Sequence, residues 1–267
     1  MLVTGTTVVV GIVGTPIIQV KMPGEMNRYF GENGLDAVVI PMDVAPDGIP
    51  ALMAMARRWQ NLRGLIVTVP FKQVVAAAAD KLTDRAARLT TANLVRRDAD
   101  GTLTGEILDG VGFIEAARTN GCAPEGKSAA AIGAGGVASA IANSLCENGV
   151  ARLAIQDVDV AKQDRLIATL RKAFPQIEIV AGIDRVDNLD MVTNGTPVGM
   201  NGDPSLPLPE AVLSALGPRT YVADVVTAPL MTPFLERARA AGCRIQTGIE
   251  MTKPQLMPMA RFLGVAA

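Results

Sequence analysis

Residues 129–140 read Ala-Ala-Ala-Ile-Gly-Ala-Gly-Gly-Val-Ala-Ser-Ala, and no other stretch constrains the fold as strongly. A small apolar run meets three glycines within four positions, and a helix-compatible run follows. This is the strand, tight turn and helix start of a dinucleotide-binding βαβ unit. Gly133 permits the turn, Gly135 and Gly136 let the backbone approach a pyrophosphate, and Ala140 lets helix and strand pack. The anion then sits at the helix N-terminus, where free N–H groups and the helix dipole favour it. The match is not strict, because Ser139 and Ala140 stand near the place of the third glycine. Asp157 ends the next predicted strand, about 20 residues on, where a ribose hydroxyl partner belongs. A carboxylate there repels a 2′-phosphate, and Val158-Asp159 supply no arginine to hold one. The expected cofactor is therefore NAD, with NADP disfavoured. The alternative is a glycine turn without a ligand, beside a solvated Asp157.

The rest of the chain alternates in the same way. Strands are predicted at 7–13, 36–40 (ending before Pro41) and 64–69, with helices at 23–32, 48–58, 73–79, 84–89 and 109–120. Residues 93–97 and 103–106 form a predicted hairpin across the Asp98–Gly101 turn. The pattern then restarts, with strands at 127–132, 152–156, 178–181, 191–193 and 221–224. Helices follow at 137–147, 160–173, 233–241 and 251–263. Such alternation implies βαβ units and parallel sheets. The chain has 267 residues, enough for two cores. The expected fold class is α/β with two domains. Residues 1–120 form an N-terminal α/β substrate domain, completed by the last helix at about 249–267. Residues 121–248 form a Rossmann-type parallel-sheet dinucleotide domain, and the boundary falls in the polar Gly- and Pro-containing segment 120–126.

Composition narrows the chemistry. There is no histidine, which removes the commonest general base, the Ser-His-Asp arrangement and His-containing zinc sites. No metal site is expected. Basic and acidic residues number 25 and 26, so there is no nucleic-acid footprint and no polybasic membrane anchor. No apolar run reaches the roughly 18 residues of a membrane span. Cys122, Cys146 and Cys243 are scattered and build no disulfide framework, as in a reducing cytoplasm. The expected partner is a small-molecule substrate; monomer and homodimer both stay open. Among acid–base candidates, Lys72 follows a strand end, Val67-Thr-Val-Pro-Phe-Lys72, where open α/β sheets place ligands. A lysine there can exchange a proton. Taken alone, it reads more readily as a solvated lysine at a helix start than as a catalytic one, and Asp109 reads as a helix cap.

Several segments, in order along the whole chain, resemble the shikimate dehydrogenase family. They are Gly14-Thr-Pro-Ile17 with Pro23 and Asn27, then Val67–Lys72, Leu82–Ala86 with Ala92-Asn93, and Asp109-Gly-Val-Gly-Phe113. Gly133–Gly136, Asn194-Gly-Thr-Pro-Val-Gly-Met200, Asp224 with Pro229 and Thr232-Pro233, and Gly248 to Gln255 continue the series. The resemblance implies two α/β domains with the site in the cleft. It also implies reversible hydride transfer between a ring alcohol carbon and nicotinamide. It assigns Lys72 and Asp109 as the acid–base pair, and Thr68, Asn93 and Gln255 as partners of substrate hydroxyls. It assigns Gly133, Ala134, Gly135, Gly136, Val137, Asp157, Asn194, Thr196, Pro197, Val225, Gly248 and Met251 to the cofactor.

The departures are local. Two serines of the family's opening motif, which bind the substrate carboxylate, are here Val20 and Met22. Losing two hydroxyl donors costs on the order of 1–3 kcal/mol per contact. Lys21, between them, either binds an anion differently or points away. Ile107-Leu108 replace the family's Asn-Thr, and Ile66 replaces an asparagine. The expected activity is an NAD(P)-dependent dehydrogenase acting on a cyclic alcohol or ketone other than shikimate. Ordinary shikimate or quinate oxidation is the alternative within the family, and a non-catalytic nucleotide or metabolite sensor is the alternative of another class. Retention of Lys72 and Asp109 argues against the sensor. A folate-type or amino-acid dehydrogenase fits the Val67–Lys72 and Asn194–Pro197 segments poorly.

Overall fold

A computed structural model describes residues 2–18 and 20–266. They form two compact units, Met1–Leu108 with Gln255–Ala267, and Asp109–Pro254. The first unit contains β1 (Val8–Gly14), α1 (Met22–Glu32), β2 (Ala37–Asp43), α2 (Ile49–Arg58), β3 (Leu62–Val67), α3 (Lys72–Ala78), β4 (Lys81–Leu82), α4 (Asp84–Leu89), β5 (Leu94–Arg97) and β6 (Leu103–Glu106). The second contains α5 (Asp109–Thr119), β7 (Ser128–Ile132), α6 (Gly136–Glu147), β8 (Arg152–Gln156), α7 (Val160–Ala173), β9 (Glu178–Ala181), β10 (Met191–Asn194), α8 (Glu210–Leu213), β11 (Tyr221–Asp224), α9 (Pro233–Ala240) and β12 (Arg244–Gln246). The chain ends in α10 (Leu256–Phe262), which belongs to the first unit.

The first sheet has the order β2-β1-β3-β5-β6-β4. β1 is parallel to both β2 and β3, and the hairpin β5–β6 joins antiparallel to β3. Valines and isoleucine in β1 suit a strand with partners on both sides. β2 runs through Pro41 to Asp43, not ending before the proline as the sequence suggests. It is an edge strand, so a residue whose N–H would face outward can be proline. Val39, two residues earlier and pointing the same way, shows where that edge leads: Asn27 of α1 accepts from its N–H at 2.7 Å and donates to its carbonyl at 3.0 Å. The side chain thereby covers the open edge. α2 buries Ile49, Met53 and Ala56, one helical face, against Leu65, Val67 and Phe71. Each fully buried Ile, Leu or Phe contributes about 1.5–3 kcal/mol. Gly64 lies under the Val95 carbonyl and the Leu263 side chain, leaving no room for a Cβ.

The second sheet is wholly parallel, in the order β12-β11-β10-β7-β8-β9. That is the doubly wound dinucleotide-fold order, and its switch point lies between β7 and β10. Ile132, Val192, Val222, Phe234 and Leu235 share one core. The unit begins at Asp109, whereas the sequence suggests a boundary at 120–126. The reason is a close helix crossing: a Cβ on Gly110 would strike the Ala140 carbonyl and Ser144 Oγ, so α5 packs backbone to backbone on α6. The last predicted helix, 251–263, shortens to a 3-10 turn, Lys253–Gln255, followed by α10. Pro254 and Pro258 lack the N–H groups a continuous helix would need there. Strands β4 and β12 and helix α8 are too short to show a period. Among the described residues, no helix is long and apolar enough to cross a membrane.

Candidate active site

The first unit gathers its polar residues at the carboxyl ends of β1 and β3. β3 ends at Val67, and Thr68–Phe71 turn the chain into α3. Thr68 N donates to the Val13 carbonyl at 2.9 Å, and Phe71 N donates to the Thr68 carbonyl at 3.0 Å, so the turn is tied to β1 and to itself. Gly14 is needed here, because a Cβ would strike the Thr68 methyl and come 3.1 Å from the Val69 carbonyl. Lys72 opens α3, half-buried, and its carbonyl accepts from Ala92 N at 3.0 Å. The next residue, Asn93, is 2% exposed. Its carbonyl accepts from Val67 N at 2.7 Å, and its N donates to the Glu106 carbonyl at 2.9 Å. Its Oδ1 accepts from Leu108 N at 2.9 Å. Thr68, Lys72 and Asn93 are thus brought to one end of the sheet, beyond the carboxyl end of β3, where open sheets carry their ligands.

Leu108 closes the first unit, and Asp109 opens the second as the first residue of α5. Asn93 therefore fixes the Leu108 backbone at the end of the first unit. Asp109 and Gln255 are both buried. Val20 and Met22 are half-buried and Lys21 is exposed; Met22 is the first residue of α1. Ile66, Ile107 and Leu108 are buried apolar groups. Glu106, which the sequence does not single out, accepts from Thr83 Oγ1 at 2.9 Å and Ile107 N at 2.7 Å, and lies 3.8 Å from Arg85. It locks the approach to Leu108.

In the second unit the glycine loop follows β7 at the switch point. Gly133 has φ +104°, and a Cβ there would lie 2.9 Å from Thr196 Cγ2 and 3.1 Å from Ala138 Cβ. The protein itself demands that glycine. Gly135, the N-cap of α6, differs: its φ of −74° suits any residue, and a Cβ would meet nothing within 4 Å. No packing requires glycine at 135, whereas close approach of a pyrophosphate to the helix N-terminus does. The loop therefore fits a dinucleotide. Ser139, at the imperfect third position, donates from Oγ to the Ala134 carbonyl at 3.0 Å and closes the turn without glycine. Ala134 and Val137 are half-buried beside it.

Asp157 reaches back to this loop. Its Oδ2 accepts from Ala134 N at 2.6 Å and its Oδ1 from Asp159 N at 2.7 Å. Each carboxylate oxygen has a further lone pair for a ribose hydroxyl. Asp159 caps α7 by accepting from Lys162 N at 3.1 Å, and the exposed Lys162 ammonium lies 3.4 Å from the same carboxylate.

Asn194 ends β10 and is fully buried. Its Oδ1 accepts from Thr196 N at 3.0 Å and Thr196 Oγ1 at 2.6 Å; its Nδ2 donates to the Val198 carbonyl at 3.2 Å and Asp224 Oδ1 at 3.1 Å. All four hydrogen-bonding positions of the amide are taken inside the protein. Among the expected cofactor residues Asn194 therefore shapes the loop, while Thr196 is half-buried and Pro197 exposed upon it. Gly248 sits against the Val225 and Val226 carbonyls with no space for a Cβ. Met251 is buried nearby in sequence. Glu250 holds this segment: its Oε2 accepts from Thr247 N at 2.6 Å and Thr247 Oγ1 at 2.8 Å, and its Oε1 from Asn120 Nδ2 at 2.9 Å. Burial pushes its carboxyl pKa up, but these bonds outweigh it and hold the group below the usual range.

This architecture matches known proteins throughout. Residues 12–95 match the shikimate dehydrogenase substrate binding domain. The shikimate dehydrogenase (NADP(+)) of Paracoccus denitrificans is 33% identical over 250 residues, covering 93% of this chain and 87% of that one. The chain belongs to the shikimate dehydrogenase family. It is an oxidoreductase of that family's nicotinamide-dependent type. Two solved structures align over nearly the full length. Shikimate 5-dehydrogenase of Listeria monocytogenes, in complex with shikimate and NAD, has TM-score 0.88 at 29% identity, covering 98% of this chain and 92% of that one. A ligand-free 5-ketofructose reductase of Gluconobacter sp. strain CHM43 has TM-score 0.87 at 27% identity, covering 96% and 92%. The two-domain α/β class expected from the family motifs is thus the observed one. Glu106, Asp224 and Glu250 are the residues that sequence reasoning left without a role, because each acts by holding a segment that carries other residues.

Proposed function

We propose that this protein catalyses reversible hydride transfer between NAD and a neutral hydroxylated substrate, a cyclic alcohol or a ketose, rather than a carboxylated one. The observation that carries this is a contrast within the first unit. Thr68, Lys72 and Asn93 are held beyond the carboxyl end of β3, while Val20 and Met22 stand where the family's carboxylate-binding serines belong. Buried Ile66, Ile107 and Leu108 extend the apolar replacement. The likeness to a 5-ketofructose reductase supports a substrate without a carboxylate. In this reading the first unit binds substrate and the second binds the cofactor.

When bound, the nicotinamide supplies the hydride acceptor or donor. Lys72 takes the hydroxyl proton as the alcohol is oxidised and returns it on reduction. Asp109 is the other member of that pair in the family motif. Thr68, Asn93 and Gln255 bind substrate hydroxyls and orient the reacting carbon. NAD over NADP is supported by Asp157, whose carboxylate lies on the glycine loop, followed by a second carboxylate and no arginine. The curated relatives are named for NADP(+), which favours the phosphorylated cofactor over NAD. The test is titration of the protein with NAD and NADP, then NADH formation on a panel of cyclic polyols and ketose-derived alcohols, with Lys72→Ala alongside. Tight NAD binding and turnover lost in Lys72→Ala support the proposal. Binding without turnover on any alcohol favours the sensor. Preference for NADP removes the role given to Asp157.

A further inference from the structure

Asp224 ends β11 and is 1% exposed, with no place in the acid–base chemistry above. Its surroundings are all donors. Oδ1 accepts from Asn194 Nδ2 at 3.1 Å and from Val226 N at 3.0 Å, and Oδ2 accepts from Thr232 Oγ1 at 2.7 Å. A carboxylate taken out of water persists only when its lone pairs are matched in this way. Each donor leads to a different segment. Asn194 shapes the loop of Thr196 and Pro197, and its carbonyl accepts from Val225 N at 3.1 Å. The Val225 and Val226 carbonyls form the surface on which Gly248 rests. Thr232 caps α9, its Oγ1 accepting from Leu235 N at 3.3 Å.

We infer that Asp224 is a positioning residue for the nicotinamide end of the cofactor site, setting the loop after β10, the turn after β11 and the seat of Gly248 from one buried carboxylate. This rests on the reading that the second unit binds the dinucleotide. The adenosine and pyrophosphate end, Gly133–Gly136 and Asp157, lies after β7 and β8 and is not among the donors to Asp224. Loss of the carboxylate therefore acts directly on the nicotinamide half of the ligand and reaches the pyrophosphate loop only through Thr196, which lies against Gly133. Asp224→Asn keeps the shape but turns one acceptor oxygen into a donor facing donors.

The experiment is calorimetric titration of wild type and Asp224→Asn with NAD and with ADP-ribose, which lacks the nicotinamide. The expected result is NAD binding weakened about tenfold or more, with ADP-ribose binding changed less than about twofold. Thr232→Val, which removes one donor, gives the same pattern, and Thr232→Ser restores wild-type binding; this pair also serves if Asp224→Asn fails to fold. Equal weakening of both ligands, or of neither, overturns the inference. Wild type that binds ADP-ribose but gains nothing from the nicotinamide overturns it as well. Wild type that binds neither ligand overturns the cofactor reading, and this inference with it.

Discussion

Two glycines of one loop should respond oppositely to the same methyl group. At Gly135 the backbone has φ −74° and a Cβ would meet nothing within 4 Å. Alanine restricts the unfolded chain there and gains about 0.4–1 kcal/mol. It is a poorer N-cap than glycine by a similar amount. The net change is about zero, and Tm should move by no more than about 2 °C. At Gly133, φ is +104° and a Cβ would lie 2.9 Å from Thr196 Cγ2. Positive φ costs a non-glycine residue about 1–2 kcal/mol before the crowding is counted. Gly133→Ala should therefore lower Tm by about 4–8 °C. For cofactor the ranking reverses in meaning. Gly135→Ala places a methyl where the pyrophosphate approaches, an overlap costing about 1–3 kcal/mol, or roughly 5- to 150-fold in Kd for NAD. Thermal scans with and without NAD measure both effects together. Gly135→Ala protein that is stabilised by NAD as strongly as wild type would refute the argument that this loop seats the pyrophosphate.

Asp157→Ala removes a charged acceptor from Ala134 N as well as the proposed ribose partner, so NAD binding should weaken by about 1.5–3 kcal/mol, read by fluorescence titration. The same variant should narrow the gap between NAD and NADP, since the 2′-phosphate no longer faces that carboxylate. Lys72→Ala should abolish turnover while leaving Kd for NAD unchanged, and Lys72→Arg should not restore it, because a guanidinium does not release its proton. Stability from the Glu250 bonds should be fully present above the unfolded pKa, about 4.3, and lost as pH falls through the lowered folded value. Glu250→Gln should flatten that acid limb in a pH series of unfolding curves.

The strands were readable because β-branched runs stopped at glycine and proline, and the glycine loop because its spacing answers to one geometry. Pro41 misled because the sequence does not say which strand lies at an edge. The close crossing of α5 on α6, Gly110 on Ala140, was not legible because it joins small residues that look unremarkable in either helix. Lys72, Asn93 and Asp109 could be singled out through family motifs, yet no local pattern tells that Asn93 holds Leu108. Asp224 and Glu250 were harder still. One partner of each, Asn194 for Asp224 and Asn120 for Glu250, lies 30 and 130 residues away in the chain, so that part of their role in shaping the site exists only once the sheet has formed. Val20 and Met22 in place of the family's serines came from the family resemblance, and the substrate proposal turns on them.

That reading is tested most directly by kcat/KM with NAD on a carboxylated ring alcohol, shikimate or quinate, against neutral cyclic polyols and ketose-derived alcohols, in wild type and in Val20→Ser/Met22→Ser. Wild type should favour a neutral substrate. The double variant should gain on the carboxylated one by about 1–3 kcal/mol per restored hydroxyl contact. Wild type that oxidises shikimate or quinate more efficiently than every neutral alcohol, with no gain in the double variant, would contradict it.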